Sequence, residues 1–285
     1  MNINGTSGKV SEELIGNGNT NYAGEITIEL KKNPSGKICA DPSLFPSTLD
    51  GTRAVVTLTC EGKEPLTYRI FAQAGMDYDG YNEYLNHHGC ACSTLTSVLG
   101  AFSQRSNAPN AISDLTPDRT IHEIERSLFP EDIWEENYSH QVLKQSPINL
   151  FGISQVLTHF GISNIRVPSF RRKQAITTIR EHLETGMPVI IETSRVRYVR
   201  GIPVTTNDRK FAGSYHVTAL VAIEPDGDTA WMIDSAYRDW SGNAQRLKRV
   251  SLKEIINYMF SCTKKAGLPV YYEGRLAAGG FILVE

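Results

Sequence analysis

At 285 residues the chain is long enough to bury a full hydrophobic core, as one large domain or two modest ones, without a disulfide or metal staple. Its formal charge is only -2, from 29 basic and 31 acidic side chains, so it has no electrostatic footprint for a nucleic-acid backbone or an anionic membrane. No run approaches the roughly 20 apolar residues that span a bilayer, and the N-terminal stretch has neither the basic nor the apolar region of a signal peptide, so a soluble, cytoplasmic chain is expected.

Residues 1 to about 22 are rich in Gly, Asn, Ser and Thr with little apolar periodicity, and read as a mobile arm. Three short strands follow at 25–30 (EITIEL), 53–60 (RAVVTLTC) and 66–72 (LTYRIFA), so the first 75 residues form an arm and a β-rich extension. From about residue 76 the pattern changes. Leu95, Val98, Leu99 and Phe102 recur at i, i+3, i+4 and i+7, which predicts a helix starting right after Cys90. Ile153, Val156, Leu157 and Phe160 repeat the spacing, and residues 170–184 hold a third helix that stops at Thr185-Gly186. Strand patterns return at 189–192, 216–223, 230–233 and 281–284. Helices first and strands second make residues 76–285 an α+β domain whose halves meet at a cleft.

The five cysteines, Cys39, Cys60, Cys90, Cys92 and Cys262, are odd in number and irregular in spacing, which suits reduced thiols; a Cys39–Cys60 bridge is the pairing left open. A cysteine is a nucleophile only as thiolate and needs an activating neighbour. Gly89-Cys90-Ala91-Cys92 leads into the expected helix, whose free N–H groups favour an anion by about 0.3–1 kcal/mol. The second neighbour is a histidine. His216 opens the apolar run HVTALV, which Pro225-Asp226-Gly227 separates from the run ending at Ile233-Asp234. Pro-Asp-Gly between apolar runs is a turn, so the two form an antiparallel hairpin that sets His216 beside Asp234. A carboxylate beside an imidazole fixes its tautomer and stabilises its cation, the task of the third member of a catalytic triad. Cys92, three residues before Leu95, falls on the core side of the helix, which leaves Cys90 to face the cleft.

Gly89-Cys90 with Ser93-Thr94-Leu95 and Val98-Leu99 resembles the nucleophile motif of the bacteriocin-leader-peptidase-like branch of the papain-like cysteine peptidases. Ser214-Tyr215-His216-Val217 and Ile233-Asp234-Ser235 resemble its histidine and aspartate strands, and Thr185-Gly186-Met187-Pro188-Val189 resembles its Gly-x-Pro-Val strand. The resemblance runs over about residues 76–285 and implies a papain-like fold, a peptide or amide substrate cleaved through an acyl-thioenzyme, and no metal or other cofactor. It also implies a Gln a few residues before the nucleophile as oxyanion donor. Here no Gln lies in residues 78–89, and Asn82, with Asn86 behind it, is the candidate that keeps the amide. Ser235 stands where Pro usually follows the aspartate.

Competing readings are simpler. Free cysteines are often buried small hydrophobes, and His87, His88, Cys90 and Cys92 are all zinc-binding types but lack a second separated pair. His122, His140, His159 and His182, the Lys248-Arg249 pair and the 171–173 cluster read as solvated surface. The expectation is therefore a cysteine peptidase with Cys90 as nucleophile, His216 as base, Asp234 as orienting group and Asn82 at the oxyanion. An acyl or aminoacyl transferase with the same triad, and a catalytically silent peptide-binding module, are the alternatives.

Overall fold

Residues 53–60 alternate around Ala54, Val56 and Leu58, all buried, and this period-two pattern builds the middle of a four-stranded sheet. The structure is a computed structural model that describes residues 22–46, 49, 53–73, 78, 82–106, 112–128, 150–194, 197–199, 202–204, 215–235, 246–259 and 280–285. The expected arm at 1–21, and Cys262 and His140, lie outside them. In the first sheet β3 (Arg53–Cys60) pairs in parallel with β1 (Tyr22–Lys32) and antiparallel with β4 (Leu66–Phe71). β2 (Ile38–Cys39) lies on the outer side of β1. Cys39 and Cys60 thus flank β1 from two sides, opposite Lys31 and Leu30, and both thiols are free. Strands two apart in a sheet are separated by roughly 9–10 Å, too far for the bridge that the sequence left open, and these two thiols are reduced as expected.

The second sheet has six strands in the order β11-β10-β9-β6-β12-β5. They are β5 (Asn164–Val167), β6 (Val189–Ser194), β9 (Tyr215–Ile223), β10 (Thr229–Ile233), β11 (Leu247–Ser251) and β12 (Phe281–Val284). A separate hairpin pairs β7 (Arg197–Val199) with β8 (Ile202–Val204). β9 reads as a continuous apolar run because both of its faces are covered. Val217, Ala219 and Val221 pack in the cluster that holds Leu95 and Leu99, while Leu220 and Ile223 pack with Ala175, Ile179 and Leu183 of the helix Arg172–Leu183. The β9–β10 hairpin forms as its turn chemistry requires: Gly227 sits at φ 67°, and Asp226 Oδ1 accepts from the N–H groups of Asp228 and Thr229.

Between the sheets runs α1, Asn82–Ala101, against which the helix Pro117–Leu128 packs. Its start corrects the sequence expectation: the helix begins eight residues before Cys90, not after it. Tyr84 and Leu85 are buried and carry the apolar side back by two turns. Gly89 does not break the helix. A Cβ there would stand 3.2 Å from both Gln73 Cβ and Leu85 Cβ, so the glycine permits close packing inside it.

Residues before 76 share a core with those after it: Ile28, Leu30, Val56, Leu58 and Tyr68 lie in one apolar cluster with Leu95, Leu99 and Phe102. Backbone bonds from Ile38 N to Glu184 O and from Ala40 N to Ile223 O also join β2 to the second half. No helix among the described residues is long and apolar enough to cross a membrane.

Candidate active site

Three consecutive antiparallel strands bring the polar residues of the site to one end of the second sheet. In the β9–β10–β11 ladder Ile233 pairs with Ala219 on one side and Leu247 on the other. Continuing that register by one residue puts Asp234 beside Thr218 and Arg246, and its N–H donates to Arg246 O at 3.0 Å. His216 and Lys248 each lie two residues further along, in the diagonal positions that long side chains span. His216 Nε2 donates to Asp234 Oδ1 at 2.9 Å, and Lys248 Nζ donates to Asp234 Oδ2 at 2.8 Å. All three side chains are buried.

α1 delivers the thiol. One turn after Cys90, Thr94 Oγ1 donates to Val217 O at 3.0 Å, which pins the helix to β9 next to His216. Cys90 is 4% exposed, and its thiol is among the groups that raise the His216 ring. With Nε2 committed to Asp234, Nδ1 is the nitrogen left for the sulfur. The sequence expectation that Cys90 faces an open cleft while Cys92 is buried is met only for Cys92, since both residues are buried. Position inside the helix also commits the Cys90 N–H to the carbonyl of Asn86, by the i to i−4 pattern.

Charge balances within this group. Burial alone pulls the His216 imidazole down, but the Asp234 charge, the hydrogen bond to Asp234 and the Cys90 contact outweigh it and push it up to about 10. Burial would raise Asp234, yet the Lys248 ammonium and then His216 hold it well below the usual carboxylate range. Lys248 is drawn down to about 8 by burial, against the opposing pull of Asp234. Arg246, also buried, donates from one guanidinium nitrogen to the carbonyls of Asp234 at 3.2 Å and Ser235 at 2.5 Å, holding the strand end in place.

Lys248 corrects the sequence expectation of a solvated charge run: its ammonium is buried against Asp234. Arg249 is exposed as expected, while it pairs bidentately with the buried carboxylate of Glu224, at 2.6 Å to each oxygen. His182 is not free surface either, since its Nε2 stands 3.0 Å from Val284 O and burial lowers its pKa.

Both expected oxyanion donors, Asn82 and Asn86, lie on α1. Asn82 is eight residues before Cys90 on α1, about 12 Å of helical rise, and its side chain lies outside the described residues. Asn86 is exposed, and its backbone carbonyl accepts from Gln73 Nε2 at 3.0 Å. Gln73 itself was not singled out by the sequence. Its N–H donates to Ser235 O at 3.0 Å, its Cβ packs on Gly89, and its Oε1 is buried without a partner among the described residues. Seventeen residues separate it from Cys90, so no local spacing could have found it; only the end of β4 returning to α1 brings it near.

Comparison with known proteins gives one family. The model described as "Peptidase_C39 like family" matches residues 66–261. The solved "Crystal Structure of Pseudomonas Avirulence Protein AvrPphB" is similar at 10% identity over 70% of this chain and 92% of that chain, with a TM-score of 0.28, too loose to bear on the site. No curated protein matches the chain.

Proposed function

Because the chain belongs to the Peptidase_C39 like family, we propose that it is a cysteine peptidase with Cys90 as nucleophile, His216 as general acid and base, and Asp234 as the group that orients His216. Its fold is the papain-like α+β arrangement, with the cysteine on a helix and the histidine and aspartate on an antiparallel sheet. The single observation that carries the assignment is the buried 2.9 Å bond between His216 and Asp234, formed where Thr94 pins the Cys90 helix to the histidine strand.

The chemistry follows from these atoms. The Cys90 thiolate attacks the carbonyl carbon of a peptide or amide, and the C=O pair moves onto oxygen. The His216 imidazolium gives its proton to the amide nitrogen as the C–N bond breaks, releasing an amine and leaving a thioester. Neutral His216 then takes a proton from water, hydroxide attacks the thioester, and the acid and the thiolate–imidazolium pair are regenerated. Asp234 stays ionised throughout and stabilises the cation. An amine in place of water turns the same intermediate into acyl transfer.

One observation favours a different class. Cys90 is buried inside a helix with its N–H committed, which suits a silent module that binds a peptide in the papain-like groove. Reaction with a peptide aldehyde separates the two. A hemithioacetal on Cys90 that disappears in the His216→Ala protein supports the peptidase, and tight reversible peptide binding with no adduct supports the module.

A further inference from the structure

We propose that Lys248 is a positioning residue of this site, holding Asp234 ionised and aimed at His216 through the second carboxylate oxygen. The inference rests on the Cys90–His216–Asp234 assignment and goes one residue beyond it. Asp234 has two oxygens and the structure gives each a cation: Oδ1 faces His216 Nε2 at 2.9 Å and Oδ2 faces Lys248 Nζ at 2.8 Å. Lys248 and Asp234 are 5% and 4% exposed. A lysine in such a place is not there for packing, because removing an ammonium from water is costly and an apolar side chain of similar volume would fill the space at less cost.

Two consequences follow for the reaction. A carboxylate held at both oxygens cannot rotate, so Oδ1 stays in line with the imidazole N–H. The ammonium also offsets the carboxylate charge, so Asp234 does not hold the imidazolium proton so tightly that it fails to reach the leaving nitrogen. With Cys90 as thiolate and His216 as cation, the four groups sum to zero; without Lys248 a buried negative charge is left over. The other charged group acting on Lys248 is Arg246, two residues before it on the chain. Arg246 is directed to the carbonyls of Asp234 and Ser235, and its charge lowers Lys248.

The test measures alkylation of Cys90 by iodoacetamide from pH 3 to 11 on the full chain, as wild type, His216→Ala, Lys248→Met and Lys248→Arg. Removing a positive charge makes every neighbouring group easier to protonate, so the Lys248→Met profile moves to higher pH by about one unit, and alkylation at any fixed pH on the acid limb falls about tenfold. Lys248→Arg keeps the charge, and its acid limb stays within about 0.3 units of wild type. If Lys248→Met does not fold by circular dichroism, Lys248→Gln takes its place with the same expected shift. An unchanged profile in the Met or Gln variant, or an equal shift in the Arg variant, overturns the role of Lys248 while leaving the triad intact. A wild-type profile that His216→Ala does not alter overturns the triad and the role of Lys248 with it.

Discussion

His216 and Asp234, eighteen residues apart in sequence, share a buried hydrogen bond of 2.9 Å across the β9–β10 hairpin. The bond carries charge in both directions: the carboxylate pushes the imidazole up to about 10, and the imidazolium helps to hold Asp234 well below the carboxylate range. The sign fixes the pH window. A histidine raised in the folded state contributes stability that is fully present below about pH 6.5 and is lost as pH rises through about 10.

The first prediction concerns that bond. In Asp234→Asn the amide orients the ring without a full charge, so burial, which opposes the cation, becomes dominant and the His216 pKa falls well below its wild-type value of about 10. Histidine C–H resonances followed by NMR from pH 5 to 11 report it directly. A His216 midpoint that stays near its wild-type value in Asp234→Asn contradicts the coupling.

Oxyanion donation is the second. Gln73 rather than Asn82 should supply it, because Gln73 packs on Gly89 whereas Asn82 is about 12 Å of helix away. Gln73→Ala is expected to lower turnover of a peptide substrate by about 10²-fold, the scale of one lost donor, and Asn82→Ala to leave it within a factor of about three. The opposite ranking would return the role to Asn82.

Thr94 tests how the two halves are held together. Thr94→Val is isosteric but loses the bond to Val217 O, at a cost of about 1 kcal/mol in urea unfolding. Alkylation of Cys90 should slow as well, since the same bond sets the helix against His216. A stability loss with unchanged alkylation would make Thr94 a purely structural residue.

Glu224 provides the contrast. Its buried carboxylate accepts from Trp231 Nε1 at 2.8 Å and from Arg249, away from the thiol. Glu224→Ala leaves the indole N–H without its partner and should cost about 2–3 kcal/mol of stability, with the pH profile of Cys90 alkylation unchanged. A shift in that profile would show the two networks to be linked.

The approach of His216 to Asp234 was legible in the sequence because Pro225-Asp226-Gly227 fixes a turn, and a turn fixes register across the strands it joins. Lys248 was hidden for the converse reason. Its strand pairs with β10 after a connection too long for a tight turn to set the register, and two adjacent basic residues look alike whether buried or solvated. The start of α1 was misplaced because a glycine among Asn and His side chains resembles a helix boundary; only the packing of Leu85 and Gln73 on Gly89 shows it to be interior. β2, two residues long, carries no periodicity to detect.

The central claim is that Cys90, through His216, is the reactive thiol, and peptide mapping by mass spectrometry after brief alkylation at pH 6 tests it most directly. The account predicts label on Cys90 in the wild type, little on Cys92, and loss of the Cys90 label in His216→Ala. Label on Cys92 that survives in Cys90→Ala, or Cys90 labelling indifferent to His216, would contradict it.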